Sequence, residues 1–144
     1  MNNYPEISIA QKGSIKTVVC QEKGRKFILT NKSGKDIIKV HVDGLLINTD
    51  SRCDYAVDVS DGDTVFLVEL KGKDKEHAFE QLYNTLDYFR KNFPTEKYHC
   101  RVVLSKDSSP KTAGKFEKLL MKAKKEKKCL DYDSACVVYD KDVV

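Results

Sequence analysis

Two apolar runs joined by one acidic turn constrain this chain more than any other feature. Residues 53–59 (CDYAVDV) and 64–70 (TVFLVEL) are separated only by Ser60-Asp61-Gly62-Asp63. Short runs rich in Val, Tyr and Phe and bounded by Asp and Gly read as strands, and so short a connection makes them an antiparallel hairpin. The second run is apolar at consecutive positions from Val65 to Val68. A strand uses such a pattern only when both of its faces are buried. It is therefore a central strand, and the rest of the chain must supply its neighbours and covering layers.

The flanking periodicities supply them. Ile15, Thr17 and Val19 alternate with Lys16, Val18 and Cys20, and 26–30 (KFILT) and 36–42 (DIIKVHV) are two further strands. Turns fall at Gln21-Glu22-Lys23-Gly24, Asn31-Lys32-Ser33-Gly34 and Asp43-Gly44. The period then changes. Phe79, Leu82, Tyr83, Leu86, Phe89 and Phe93 recur at helical spacing over 74–93, and Pro94 stops that helix. Residues 98–104 (YHCRVVL) form the next strand. Pro110 opens a second helix after the capping candidates Ser108 and Ser109, with Phe116, Leu119, Leu120 and Ala123 on its apolar face. Residues 135–139 (ACVVY) make a last strand. The expected fold is α/β, a mixed central sheet with helices packed on it, in a single domain over 1–144. Residues 1–12 show no clear period and are expected to be a flexible or irregular segment.

Composition narrows the function classes. At 144 residues, 40% hydrophobic and 33% charged, the chain has material for one core and is not a disordered polymer. No run of ~18 apolar residues exists, so no membrane partner is expected. The start lacks the basic stretch and long apolar run of a secretory signal, so the expected location is the cytoplasm. Cys20, Cys53, Cys100, Cys129 and Cys136 show no Cys-x-x-Cys spacing, and His41, His77 and His99 are scattered. A disulfide scaffold and a zinc knuckle are both disfavoured. The net charge of +4 is uneven: +3 over 1–50, −2 over 51–105, +6 over 106–128 and −3 over 129–144. The +6 stretch, with lysines between Lys122 and Lys128, suits either a solvated helix face or a phosphate backbone.

The chemistry concentrates at the end of the central strand. In Glu69-Leu70-Lys71 the two charged residues are two apart, so they share one face while Leu70 takes the other. Charges near the end of a buried strand carry a desolvation cost. Asp54 shares a face with Ala56 and Asp58. Counted from the turn, it stands nearly opposite Glu69, with Cβ atoms ~5 Å apart in the right register. Two carboxylates so placed repel unless a cation lies between them. Hard oxygen ligands completed by water and phosphate suit Mg2+, and an adjacent lysine can serve the attacking water or the charge on phosphate. The cluster points to metal-assisted cleavage of a phosphodiester.

Asp54, a hairpin, Glu69-Leu70-Lys71 and then a helix bearing Gln81 together resemble the PD-(D/E)XK nuclease superfamily, over about half the chain, 38–104. The resemblance implies a restriction endonuclease-like core: a helix, an antiparallel hairpin reaching a central strand, a helix and a further strand. It implies that Asp54 and Glu69 hold Mg2+, with Mn2+ as a substitute, that Lys71 serves the nucleophilic water, and that Gln81 matches a glutamine on the following helix of the exonuclease-like branch. Cys53 stands where the pattern has proline, and the further N-terminal acid of many members has only Glu6 and Glu22 as candidates. Gln81 faces solvent if the Phe79/Leu82/Leu86 stripe alone meets the sheet. It reaches the site if Ala78, Leu82, Thr85 and Phe89 do.

The expected function is a divalent-metal-dependent nuclease acting on nucleic acid, DNA rather than RNA, working as a homodimer or with a partner protein because so small a core has little to wrap a duplex. The competing reading is a catalytically inactive nuclease-fold module that binds a nucleic-acid or protein partner. Asp58, Asp61 and Asp63 resemble a calcium loop only superficially, and a hairpin turn accounts for them. Tyr83 and Tyr88 read as packing residues, and His77 opens the first helix.

Overall fold

The computed structural model describes residues 2–22, 24–47, 52–59, 64–70, 75–95, 97–103, 130–131 and 141–144. The expected second helix, the strand over 135–139, the acidic turn 60–63, the basic stretch 106–128 and Lys71 lie outside these residues.

The described residues form a mixed α/β structure that is mostly strand. Its strands are β1 (Ile9–Gly13), β2 (Thr17–Glu22), β3 (Arg25–Thr30), β4 (Ile37–His41), β5 (Tyr55–Val59), β6 (Thr64–Glu69), β7 (Lys97–Val102), β8 (Leu130–Asp131) and β9 (Lys141–Val143). Helix α1 (Lys75–Asn92) lies between β6 and β7. A six-stranded sheet has the order β1-β4-β5-β6-β7-β8, and a three-stranded sheet the order β2-β3-β9. In the larger sheet the β1–β4, β4–β5 and β5–β6 pairs are antiparallel. The β6–β7 and β7–β8 pairs are parallel. Two parallel strands need a long crossover, and α1 supplies the one between β6 and β7.

The reading of β6 as a central, doubly buried strand holds, and it explains the layers. Val65 and Leu67 join a core with Leu82, Leu86 and Phe89 of α1 and with Phe93 just past its end. Phe66, Val68 and Leu70 point the other way, into a second core with Val18, Cys20, Phe27 and Leu29 of the smaller sheet. The described residues thus form three layers: helix, large sheet, small sheet. The sequence expectation of one central sheet is corrected here: β2 and β3 are not its edge but a separate layer. Alternating burial cannot tell these cases apart, because a strand in either sheet buries one face.

Helix α1 forms for the reasons its spacing suggests. Leu82, Leu86, Phe89 and Phe93 lie on one buried stripe, and burying each such side chain contributes roughly 1.5–3 kcal/mol. At its C-terminus the Tyr98 hydroxyl donates to the Phe93 carbonyl at 2.7 Å and the Phe89 carbonyl at 3.3 Å. The Phe89 carbonyl also accepts the Phe93 N–H at 2.7 Å, so the hydroxyl ties β7 to the last turn of the helix. Arg90 and Lys91 in the last turn suit the helix dipole. Tyr88 is half-buried against the core, as its spacing suggests.

The N-terminal residues are more ordered than their sequence indicates. A 3-10 turn over Glu6–Ser8 leads into β1, which pairs with β4 through Ile9↔Val40 and Gly13↔Ile37. Tyr4 is buried against the rings of Phe89 and Phe93. After β4 the chain turns sharply at Asp43-Gly44, where Gly44 has φ +84° and its N–H donates to the Ile47 carbonyl at 2.9 Å. That positive φ is strained for any residue with a Cβ. The turn sends the chain on towards the segment that carries Asp54.

Candidate active site

The register of the hairpin places the two acids. Tyr55 pairs with Val68 as the last rung of the β5–β6 ladder, so Asp54 and Glu69 each follow one step past it, at the same end of the hairpin. Residues so placed share a face. On β6 that face belongs to Val65 and Leu67, which meet α1. Glu69 is only 1% exposed, a carboxylate taken almost wholly out of water. Asp54 is half-buried. The regular ladder stops at Tyr55, and the Asp54 side chain takes over: its Oδ2 accepts the Leu70 N–H at 2.7 Å. The Asp54 carbonyl accepts the Val42 N–H at 3.0 Å, and the Glu69 carbonyl accepts the Val103 N–H at 2.9 Å. Both acids therefore sit on backbone fixed from neighbouring elements.

Helix α1 closes the site from one side. Gln81 is 6% exposed, so of the two orientations open to the sequence the structure takes the one with Thr85 and Phe89 against the sheet. Its Nε2 donates to the Arg52 carbonyl at 3.3 Å, and its Oε1 is buried with no hydrogen-bond partner. One turn later Thr85 Oγ1 accepts the Cys53 N–H at 2.9 Å. Asp54, Glu69 and Gln81 are thus gathered around one segment, 52–54. Lys71 and His77 give no geometry: Lys71 lies outside the described residues, and nothing of the His77 side chain is described.

The electrostatics follow from the burial. The Cys53 thiol is pushed well above its ordinary range, first by burial and then by the charges of Glu69 and Asp54. It is held as a neutral thiol beside the acids, and so as a poor ligand. On the opposite face burial pushes Cys20 up to about 12, Asp54 adding to the shift and Lys39 opposing it. The phenol of Tyr55 is raised by burial and then by Glu22, Cys20 and Asp54. Of the two N-terminal acids, Glu22 is the one brought towards the Asp54 end. Glu6 instead lines a cavity of about 340 Å³ with Asn2, Tyr4, Lys12 and Ile38.

Asp58 has another role. It is 1% exposed, and its Oδ2 accepts from Tyr4 Oη at 2.7 Å and Asn2 Nδ2 at 3.0 Å. Sequence reasoning grouped it with a turn and missed this contact, because its partners lie more than fifty residues away. The one available signal was a charged residue on a strand whose neighbours are all apolar.

The donor set is of the kind a hard cation takes. Two carboxylates at one sheet end and the partnerless carboxamide oxygen of Gln81 are all oxygen donors, as Mg2+ prefers. Among the described residues no group of three or more His, Cys, Asp or Glu side chains is close enough to hold a metal by itself. A cation at Asp54 and Glu69 would therefore complete its shell with water or substrate oxygens. Among the described residues no helix is long and apolar enough to cross a membrane. No protein-family model, curated protein or solved structure matches the chain.

Proposed function

We propose that the chain is a divalent-metal-dependent nuclease of the PD-(D/E)XK type, hydrolysing phosphodiester bonds in nucleic acid, with DNA preferred to RNA. The observation that carries this reading is the buried Glu69 carboxylate one step past the last β5–β6 rung, at the same hairpin end as Asp54, where the antiparallel strands β4, β5 and β6 hand over to α1 and the parallel strand β7. From the hairpin onward that succession follows the order the resemblance implies, while the helix that opens such a core has no counterpart before β4 among the described residues. Burying a carboxylate beside another is unfavourable unless something positive joins them.

Asp54 and Glu69 would hold Mg2+ or Mn2+. Bound there, the metal supplies a Lewis acid for the phosphate and lowers the pKa of coordinated water. The chain's own residues do the rest. The Leu70 N–H orients the Asp54 carboxylate. The apolar wall of Cys53, Leu82 and Leu86 keeps the site's dielectric low. Lys71, following Leu70, has the role the resemblance assigns to it, serving the attacking water. The small core fits action as a homodimer or beside a partner protein.

A second reading has its own observation. Asp54 Oδ2 is already engaged as the acceptor of a backbone N–H, which suits a carboxylate kept as a strand-end cap in a catalytically inactive binding module. One experiment separates the two. The full chain is incubated with single-stranded DNA, duplex DNA and RNA in Mg2+ or Mn2+, with and without chelator, beside calorimetric titration of each metal. Metal-dependent cleavage lost in Asp54→Ala and Glu69→Ala supports the nuclease. Metal binding to neither acid, with nucleic acid bound intact, supports the module.

A further inference from the structure

We infer that Thr85 is a positioning residue, whose buried hydroxyl holds Asp54 in line with Glu69 by gripping the backbone just before it. The inference rests on the metal-site reading above. The β5 ladder ends at Tyr55, so the sheet alone does not fix where Asp54 lies. Segment 52–54 is held instead from three sides. Strand β4 reaches it through Val42 N–H to the Asp54 carbonyl at 3.0 Å. The end of β6 reaches it through Leu70 N–H to Asp54 Oδ2 at 2.7 Å. Helix α1 reaches it through two residues four apart: Gln81 Nε2 to the Arg52 carbonyl at 3.3 Å, and Thr85 Oγ1 accepting the Cys53 N–H at 2.9 Å.

The hydroxyl is fully committed. Thr85 is completely buried, and its Oγ1 donates to the Gln81 carbonyl one turn earlier at 2.6 Å. That bond uses the hydroxyl hydrogen and turns a lone pair towards Cys53. The surroundings are apolar: Leu82, Leu86, Phe89 and Cys53. Valine has the same shape and would pack there equally well, and threonine is no better as a helix former. The hydroxyl is explained by the Cys53 N–H, and through it by the residue that follows. Thr85 touches neither acid. It sets the spacing between them by tying the Asp54 backbone to the helix that also carries Gln81.

The test is calorimetric titration of Mn2+ into the full chain, as wild type, Thr85→Val and Thr85→Ser, with circular dichroism reporting the fold. Removing a group that orients a ligand typically weakens metal binding by about 10–100-fold. Folded Thr85→Val is expected to lose at least about tenfold in affinity, and Thr85→Ser, which keeps the hydroxyl, to return close to wild type. A folded Thr85→Val that binds Mn2+ as wild type does overturns the inference while leaving the metal site standing. Wild type that binds no Mn2+ overturns the metal-site reading itself. Should Thr85→Val not fold, Thr85→Ala is compared with Thr85→Ser in the same titration, and equal affinities overturn the inference.

Discussion

Strand β5 and the residue before it carry two aspartates, four positions apart on one face, and the fold uses them in opposite ways. Asp58 is buried, and its two donors, Tyr4 and Asn2, arrive from the start of the chain. Asp54 stands at the mouth of the strand, half-exposed, one backbone N–H on its carboxylate and the buried Glu69 across from it. Asp58 is a fastening: its charge is answered by side chains whose own placement depends on it. Asp54 stands instead beside another acid, the buried Glu69. Burial alone does not mark a functional carboxylate. The sign of what surrounds it does.

The largest test of this contrast is the loss of either mouth acid. Under the nuclease reading Asp54→Ala and Glu69→Ala each lower cleavage by ~10³-fold or more, since the metal they hold contributes several kcal/mol to the transition state. Urea unfolding without metal should show Asp54→Asn no less stable than wild type, because it relieves repulsion and keeps an acceptor for Leu70 N–H. A clear loss of stability there would place Asp54 with Asp58 as a fastening.

Next comes Asp142 on β9, another fastening acid. It holds Arg101, 3% exposed and stacked on Phe66. Asp142→Ala leaves that guanidinium buried without its carboxylate and is expected to cost about 3 kcal/mol in the same unfolding measurement. Asp58→Ala strands the Tyr4 hydroxyl and is expected to cost about 1–3 kcal/mol, with cleavage per folded molecule unchanged. Loss of cleavage in a fully folded Asp58→Ala would move Asp58 into the site and erase the contrast.

The last effect is in pH. The Cys20 thiol is raised from 9.0 to about 12 in the folded chain. Above pH 9 the unfolded chain loses this proton while the folded chain keeps it, so the folded state binds more protons and stability falls as pH rises. The contribution is whole below about 9 and is lost progressively towards 12. Cys20→Ala should show a shallower decline over that window in thermal unfolding, and an identical slope would remove Cys20 as its source.

The central part of this architecture is legible in the sequence because its physics is local. Consecutive apolar residues in β6, the short acidic turn before it and the 3.6-residue stripe of α1 each say which faces are buried. The hairpin count brings Asp54 across from Glu69 to within a residue. What the sequence hides depends on partners far away. Strand β1 is an edge strand whose middle residues, Ala10, Gln11 and Lys12, are all exposed, so it leaves no alternating signature. The separation of β2 and β3 into their own layer is invisible to a period of two. The sequence leaves Gln81 open, and the joint burial of Thr85, Leu86 and Phe89 fixes the orientation of α1 that decides it. A lone threonine in a helix carries no signal until the N–H it meets is known, so the sequence offers Thr85 only as a facing position.

Strand β9 has a consequence for how quickly the chain reaches this state. Ile28 pairs with Lys141 and Thr30 with Val143, while Val144 exchanges backbone hydrogen bonds with Thr30, Lys32 and Ser33. Contacts between such remote parts of a chain close the longest loops, and their entropy must be met before they return any stability. The hairpins β2–β3 and β5–β6 can zip locally, but the third strand of the small sheet has to wait for the chain to come round. Refolding should therefore be slow for a chain of this size, with the Arg101–Asp142 pair formed among its last contacts and absent from the transition state. Weakening that pair would then speed unfolding and leave the folding rate nearly untouched.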